Sequence, residues 1–128
     1  MRLPDVHIAL VDDDDSVRRA VGRLLRVAGM EVDVYASGAE FLNALEERPP
    51  DCLVLDMYMP AMSGLDVQAA VNAHHPGLPI VFITAHDDAA AEQLGLDAGA
   101  VACLHKPFSE RHLLSAIATA TAAEMPAD

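Results

Sequence analysis

Short apolar runs alternate with stretches of helical periodicity five times along this chain. Val6–Val11 is the first run, broken only by His7, and it has the length of a buried strand. Val17, Ala20, Val21, Leu24, Leu25 and Ala28 then recur at helical spacing, and Gly29 supplies a stop. Glu31–Tyr35 alternates as a second strand whose charges suit a sheet edge. Ser37-Gly38-Ala39-Glu40 is a capping box that opens a helix through about Glu47. Pro49-Pro50 ends that helix, and Cys52–Asp56 reads as the third strand.

After the loop Met59–Gly64, a third helix is predicted from Leu65 to Ala73 and a fourth strand over Ile80–Thr84. An Ala-rich helix follows from Asp88 to Asp97 with Gly99 as its cap, and Ala100–His105 is a fifth strand. Ser109 is placed to cap a last helix reaching about Ala123, and the end AAEMPAD is expected to fray. Strand-helix alternation of this kind predicts an α/β domain with a parallel sheet covered on both faces by right-handed crossovers. At 128 residues the chain fits one such domain with a full core, without repeats or a linker.

Composition narrows the function classes. A formal net charge of −12 argues against this chain gripping a phosphate backbone directly, because that takes Lys and Arg clusters. No uninterrupted apolar run approaches the roughly 20 residues of a membrane helix. The start MRLPDVH lacks the apolar core of a secretory signal, so a cytoplasmic product is expected. The two cysteines, Cys52 and Cys103, each fall inside a predicted buried strand and are expected as free structural thiols.

The candidate chemistry sits where strands end. In a parallel sheet the C-terminal ends of the strands share one edge, and ligands bind in the crevice there. That edge would gather Asp12 and Asp13, Asp56, Thr84 and Lys106. Clustered carboxylates repel unless a cation sits among them, and a hard oxygen-seeking ion, most simply Mg²⁺, suits this set. A carboxylate there can also accept a phosphoryl group as an acyl phosphate. The ammonium of Lys106 and the hydroxyl of Thr84 suit the charge neutralisation that phosphoryl transfer requires. Asp14 and Asp15 fall where a helix starts and are read as cap and first-turn acids.

The stretches VDDD, LVLDMYMPAMSGLD, IVFITA and HKPF, in this order and spacing, resemble the receiver domain of bacterial two-component response regulators. Any one motif is weak, but the four together are specific, and the likeness runs from about Val6 to Ala120. Around Val11–Arg19, Tyr35–Leu42 and Leu53–Leu65 the chain is most similar to receivers of nitrogen-fixation-type regulators, which normally precede a helix-turn-helix domain. The resemblance implies a receiver domain over residues 1–123, a (βα)5 flavodoxin-like sandwich with sheet order 2-1-3-4-5, the order of the family's chemotaxis regulator.

The resemblance also implies roles for single residues. Asp56 becomes the phosphoacceptor. Asp13, Asp56 and the Tyr58 backbone carbonyl become direct Mg²⁺ ligands, with Asp12 acting through water and Mn²⁺ or Ca²⁺ as substitutes. Thr84 becomes the switch hydroxyl and Lys106 the phosphate-pairing amine, with a cis bond to Pro107. The implied donor is a sensor histidine kinase or a phosphotransfer protein, and the implied output face is the fourth helix, fifth strand and fifth helix, as a homodimer contact.

One position departs from the family. Three residues before the lysine, receivers carry Tyr or Phe, whereas this chain has Cys103, too small to reproduce the burial of a ring. Tyr58 and His86 border the pocket and are candidates for tuning dephosphorylation. Of the other histidines, His74 and His75 precede a Pro-Gly turn, His7 begins a strand, and His105 and His112 lack a partner at metal spacing, so all five are read as structural or solvated.

Other functional classes fit less well. An Asp-nucleophile phosphatase of the haloacid-dehalogenase type would want a second Asp at the place of Tyr58. A flavin-nucleotide binder would want a Gly- or Ser-rich loop where this chain has Asp12–Asp15. A constitutive interaction module would not need the complete set of acids, hydroxyl and lysine. A chain cut from a longer DNA-binding regulator remains compatible with all of these residues.

Overall fold

The alternation of runs and periodic stretches becomes five strands and five helices in the computed structural model, which describes residues 3–121. In chain order these are β1 (His7–Val11), α1 (Asp15–Val27), β2 (Glu31–Tyr35), α2 (Gly38–Leu45) and β3 (Cys52–Asp56). There follow α3 (Gly64–His74), β4 (Ile80–Thr84), α4 (Ala89–Asp97), β5 (Ala102–His105) and α5 (Glu110–Ala120). The strands pair in parallel in the order β2-β1-β3-β4-β5, as the resemblance implied.

Both faces of the central strands are buried, which is why they read as near-continuous apolar runs rather than as alternations. Ile8, Leu10, Val54, Val81 and Ile83 face one side, where Val21 and Leu25 of α1 and Leu113 and Ile117 of α5 cover them. Ala9, Val11, Leu53, Leu55 and Phe82 face the other, against Phe41 of α2, Val67 and Val71 of α3 and Ala91 of α4. β2, with Glu31 exposed and Asp33 half-buried, lies at one edge as its charges predicted.

The helix ends follow local hydrogen bonding more than apolar spacing. α1 begins at Asp15, before its first apolar residue, because the Asp14 side chain accepts the N–H groups of Ser16 and Val17. β5 starts at Ala102 rather than Ala100. The chain before it is still closing α4, with Ala100 N–H donating to the Gly95 carbonyl and Gly99 at φ +108. α5 ends at Ala120, short of the expected Ala123, and Thr121 caps it. The expected fraying of AAEMPAD, and with it the domain limit at residue 123, lies outside the described residues.

The cysteines need one correction. Cys52 is fully buried in β3, but Cys103 is only half-buried, because β5 is an edge strand. Both thiols are free. Burial, with Asp51 nearby, pushes the Cys52 thiol up to about 12.

Candidate functional site

Four of the five strands deliver a side chain to the same rim. β1 leads directly into Asp12, β3 ends on Asp56, β4 ends on Thr84, and Lys106 follows β5. Asp12 is fully buried, Asp56 is 5% exposed, and Asp13 is open to solvent. One carboxylate oxygen from each of these three lies within 4.8 Å of the others.

Each neighbour of this cluster has a local origin. The Asp12 carboxylate accepts the Asp14 N–H at 2.9 Å through one oxygen and the Lys106 ammonium at 2.8 Å through the other. Arg18, one turn into α1, donates to the Asp12 carbonyl at 2.7 Å. Lys106 Nζ also stands 3.8 Å from Asp56 Oδ1, so one ammonium serves two buried acids. The Lys106–Pro107 bond is cis, as the resemblance implied.

Burial pushes the Asp56 carboxyl up to about 7, and the adjacent Asp12 charge adds to the rise. Lys106 and the Tyr58 N–H, 3.5 Å from Asp56 Oδ1, pull the other way without reversing it. Such a group holds its proton near neutrality until positive charge arrives. The donors are all hard oxygens, a set that fits Mg²⁺ and offers no soft ligand to exclude it.

α3 fixes the Asp56 backbone from behind. A Cβ on Gly64 would stand 2.5 Å from the Asp56 carbonyl oxygen and 2.8 Å from the Met57 Cα, so only glycine allows this close approach. The Ser63 cap and Asp66 form a reciprocal capping box that starts α3 at that point. Between Asp56 and α3 the loop turns through Ala61 at φ +67, a left-handed conformation that side chains rarely adopt.

Thr84 is buried, and its hydroxyl is engaged within its own loop. It accepts the His86 N–H at 3.0 Å and donates to the His86 carbonyl at 3.4 Å. The Tyr58 and His86 rings, both named as border residues, meet edge to face with centroids 4.5 Å apart. Tyr58 also donates its hydroxyl to the Asp88 carboxylate, which caps α4 by accepting the Ala91 N–H. That bond raises the Tyr58 hydroxyl to about 12, with lesser contributions from burial and nearby acids. The loop that carries the acid is thus tied to the start of α4.

Sequence reasoning missed Asp88, Arg18 and the surroundings of His105. The position of Asp88 as an N-cap was legible, but its 30-residue separation from Tyr58 hid the pairing. His105 is not partnerless: its Nε2 lies 2.7 Å from Glu92, with Asp87 alongside. His7 pairs with Asp33 at 2.7 Å and His75 with Glu46 at 3.0 Å, as structural surface contacts. Cys103 faces the α2–α4 side of the sheet. Burial pushes its thiol up to about 11, and Glu92 nearby adds to this.

A buried acid at a central strand end, flanked by an acid pair, a hydroxyl and a lysine, stands at the strand-end rim where parallel α/β domains bind their ligands. Residues 8–118 match the response regulator receiver domain family, and the chain belongs to it. The response regulator protein TmoT of Ectopseudomonas mendocina is 42% identical over 113 residues, covering 88% of this chain and 51% of that protein. A receiver domain protein from Clostridium thermocellum superposes with a TM-score of 0.88 at 28% identity, covering 93% of this chain and 96% of the other. The FixJ-N crystal structure superposes with a TM-score of 0.86 at 28% identity, covering 98% of this chain and all of the other. The chain spans about half the length of the curated relatives it matches.

Proposed function

We propose that Asp56 is the phosphoacceptor of a two-component signalling switch. The carboxylate oxygen forms a bond to phosphorus as the N–P bond of a donor phosphohistidine breaks, and the electron pair stays on the departing imidazole. The donor is a sensor histidine kinase or a phosphotransfer protein. The chain is a stoichiometric acceptor that assists its own phosphorylation and dephosphorylation rather than a turnover enzyme. One observation carries this reading: the Asp56 carboxyl is buried at the end of the central strand β3, with Lys106 Nζ at 3.8 Å and two further acids within 4.8 Å.

Asp13, the Asp56 carboxylate and the Tyr58 carbonyl would hold Mg²⁺ directly, with Asp12 reaching it through water. When bound, Mg²⁺ would neutralise charge on the phosphoryl oxygens. Lys106 pairs with the phosphoryl group from the opposite side. Thr84 exchanges its His86 partners for a phosphoryl oxygen, moving the loop ahead of α4. Tyr58 and His86 shield the acyl phosphate and set how quickly water reaches it.

The output face is α4, β5 and α5, used as a homodimer contact. Direct nucleic-acid binding by these residues is disfavoured by the net charge of −12. The half-length match to the curated relatives supports a second possibility, that this chain is the receiver part of a longer DNA-binding regulator. The proposed location is the cytoplasm, where such kinases present phosphohistidine. Among the described residues no helix is long and apolar enough to cross a membrane.

Incubation with acetyl phosphate and Mg²⁺, followed by intact-mass measurement, tests the assignment. Wild type should gain one phosphate, and Asp56→Ala should gain none. Asp13→Ala should also fail, through loss of the metal. Undiminished labelling of Asp56→Ala would overturn Asp56 as the acceptor.

A further inference from the structure

On the side of the sheet away from α1 and α5, three side chains from separate segments converge beside β5. Strand pairing sets Thr84 opposite His105, so the loop leaving β4 runs past the end of β5 and carries Asp87 there. Glu92 comes from the first turn of α4. One donor atom from each of Asp87, Glu92 and His105 lies within 4.8 Å of the other two. The Glu92 side chain is only 17% exposed, which gives the cluster a supported base, while Asp87 and His105 leave it open to solvent. Cys103, two residues before His105 on the same strand, has its thiol beside Glu92.

We propose that Asp87, Glu92 and His105 form a second cation site, selective for a borderline transition-metal ion, with Zn²⁺ as the natural occupant. An imidazole nitrogen distinguishes it from the all-oxygen cluster at Asp12, Asp13 and Asp56. Mg²⁺ and Ca²⁺ take oxygen ligands, whereas Zn²⁺ accepts imidazole nitrogen and carboxylate oxygen equally at about 2.0–2.2 Å. Donor atoms spaced between 2.7 Å and 4.8 Å can surround an ion at such distances with small side-chain rotations. Three protein ligands and an open side leave room for water to complete the coordination. The overall charge of −12 favours cation uptake in general, and the histidine supplies the selectivity.

The three ligands belong to the β4–α4 loop, α4 and β5, so a bound ion would staple these three segments together. The proposal stands independently of phosphorylation at Asp56, since none of its ligands belongs to that cluster.

Zn²⁺ is titrated into the full chain by calorimetry in saturating Mg²⁺, which fills the all-oxygen site. One equivalent should bind. His105→Gln and Glu92→Gln should each weaken binding at least about tenfold, and Asp13→Asn should bind as wild type does. In wild type, Zn²⁺ should shift or broaden the His105 ring resonances and leave those of His7, on β1 and separated from β5 by two strands, unchanged. Absence of Zn²⁺ uptake in Mg²⁺ would overturn the site and reduce the cluster to a His105–Glu92 ion pair. So would uptake that survives His105→Gln or is lost in Asp13→Asn. If a variant fails to fold, the wild-type spectrum decides, and perturbation of any histidine other than His105 alone refutes the assignment.

Discussion

At the scale of single residues, the Asp56 carboxyl stores an imbalance. Burial and Asp12 raise it to about 7, against an ordinary value of 3.8. The folded protein therefore binds a proton there that the unfolded chain has already released between those two values. A raised folded value contributes stability that is complete below about pH 4 and is lost as pH rises through about 7. The metal-free protein should accordingly lose melting temperature across that window relative to Asp56→Asn, with the difference levelling off above it. Parallel melting curves of the two proteins from pH 4 to 8 would show that the buried acid is compensated by something other than its proton.

A cation relieves the same repulsion by mass action. Millimolar Mg²⁺ should raise the melting temperature at neutral pH, as should Mn²⁺ or Ca²⁺. Asp13→Asn should stabilise the metal-free protein by removing one repelling charge, and should abolish the Mg²⁺ response. Calorimetric scans of both proteins with and without the ion check the two effects together, and no shift with any of the three ions would refute the metal site.

At the scale of elements, the placement of α3 decides how firmly Asp56 is held. Gly64→Ala would drive a methyl to within 2.5 Å of the Asp56 carbonyl oxygen, and the obstructing atoms are backbone. The strain should cost about 1–3 kcal/mol, read as a lower urea midpoint. It should also slow acetyl-phosphate labelling, because the acid moves with its own backbone. A variant of wild-type stability would mean that α3 can slide away from β3.

Elements were also the most legible level of the sequence. Strands covered on both faces leave an unmistakable run such as Cys52–Leu55, and caps such as Ser37 and Ser63 mark helix starts by chemistry alone. The rim followed from the strand ends once the sheet was taken as parallel. Cys103 was misjudged because its apolar neighbours do not reveal that only one strand flanks it. Tyr58 with Asp88, and His105 with Glu92, were invisible because side-chain pairing across a loop carries no periodicity. The turning of the Thr84 hydroxyl toward His86 is equally a matter of one rotamer.

At the scale of the whole molecule, the Lys106–Asp12 ion pair joins positions 94 residues apart, from one end of the alternation to the other. Its partners directly follow β1 and β5, which are separated in the sheet by β3 and β4. No fragment containing fewer than all of these strands can assemble the rim, so the acidic site comes into being only at the close of folding. High contact order of this kind slows folding and makes it cooperative. Competence to take up phosphate and far-ultraviolet circular dichroism should therefore vanish at the same urea concentration. A labelling loss that precedes the loss of helix would show that the rim can open by itself. If the two coincide, a half-made chain emerging from the ribosome is deaf to the proposed phosphoryl donor, and only a finished fold can be addressed.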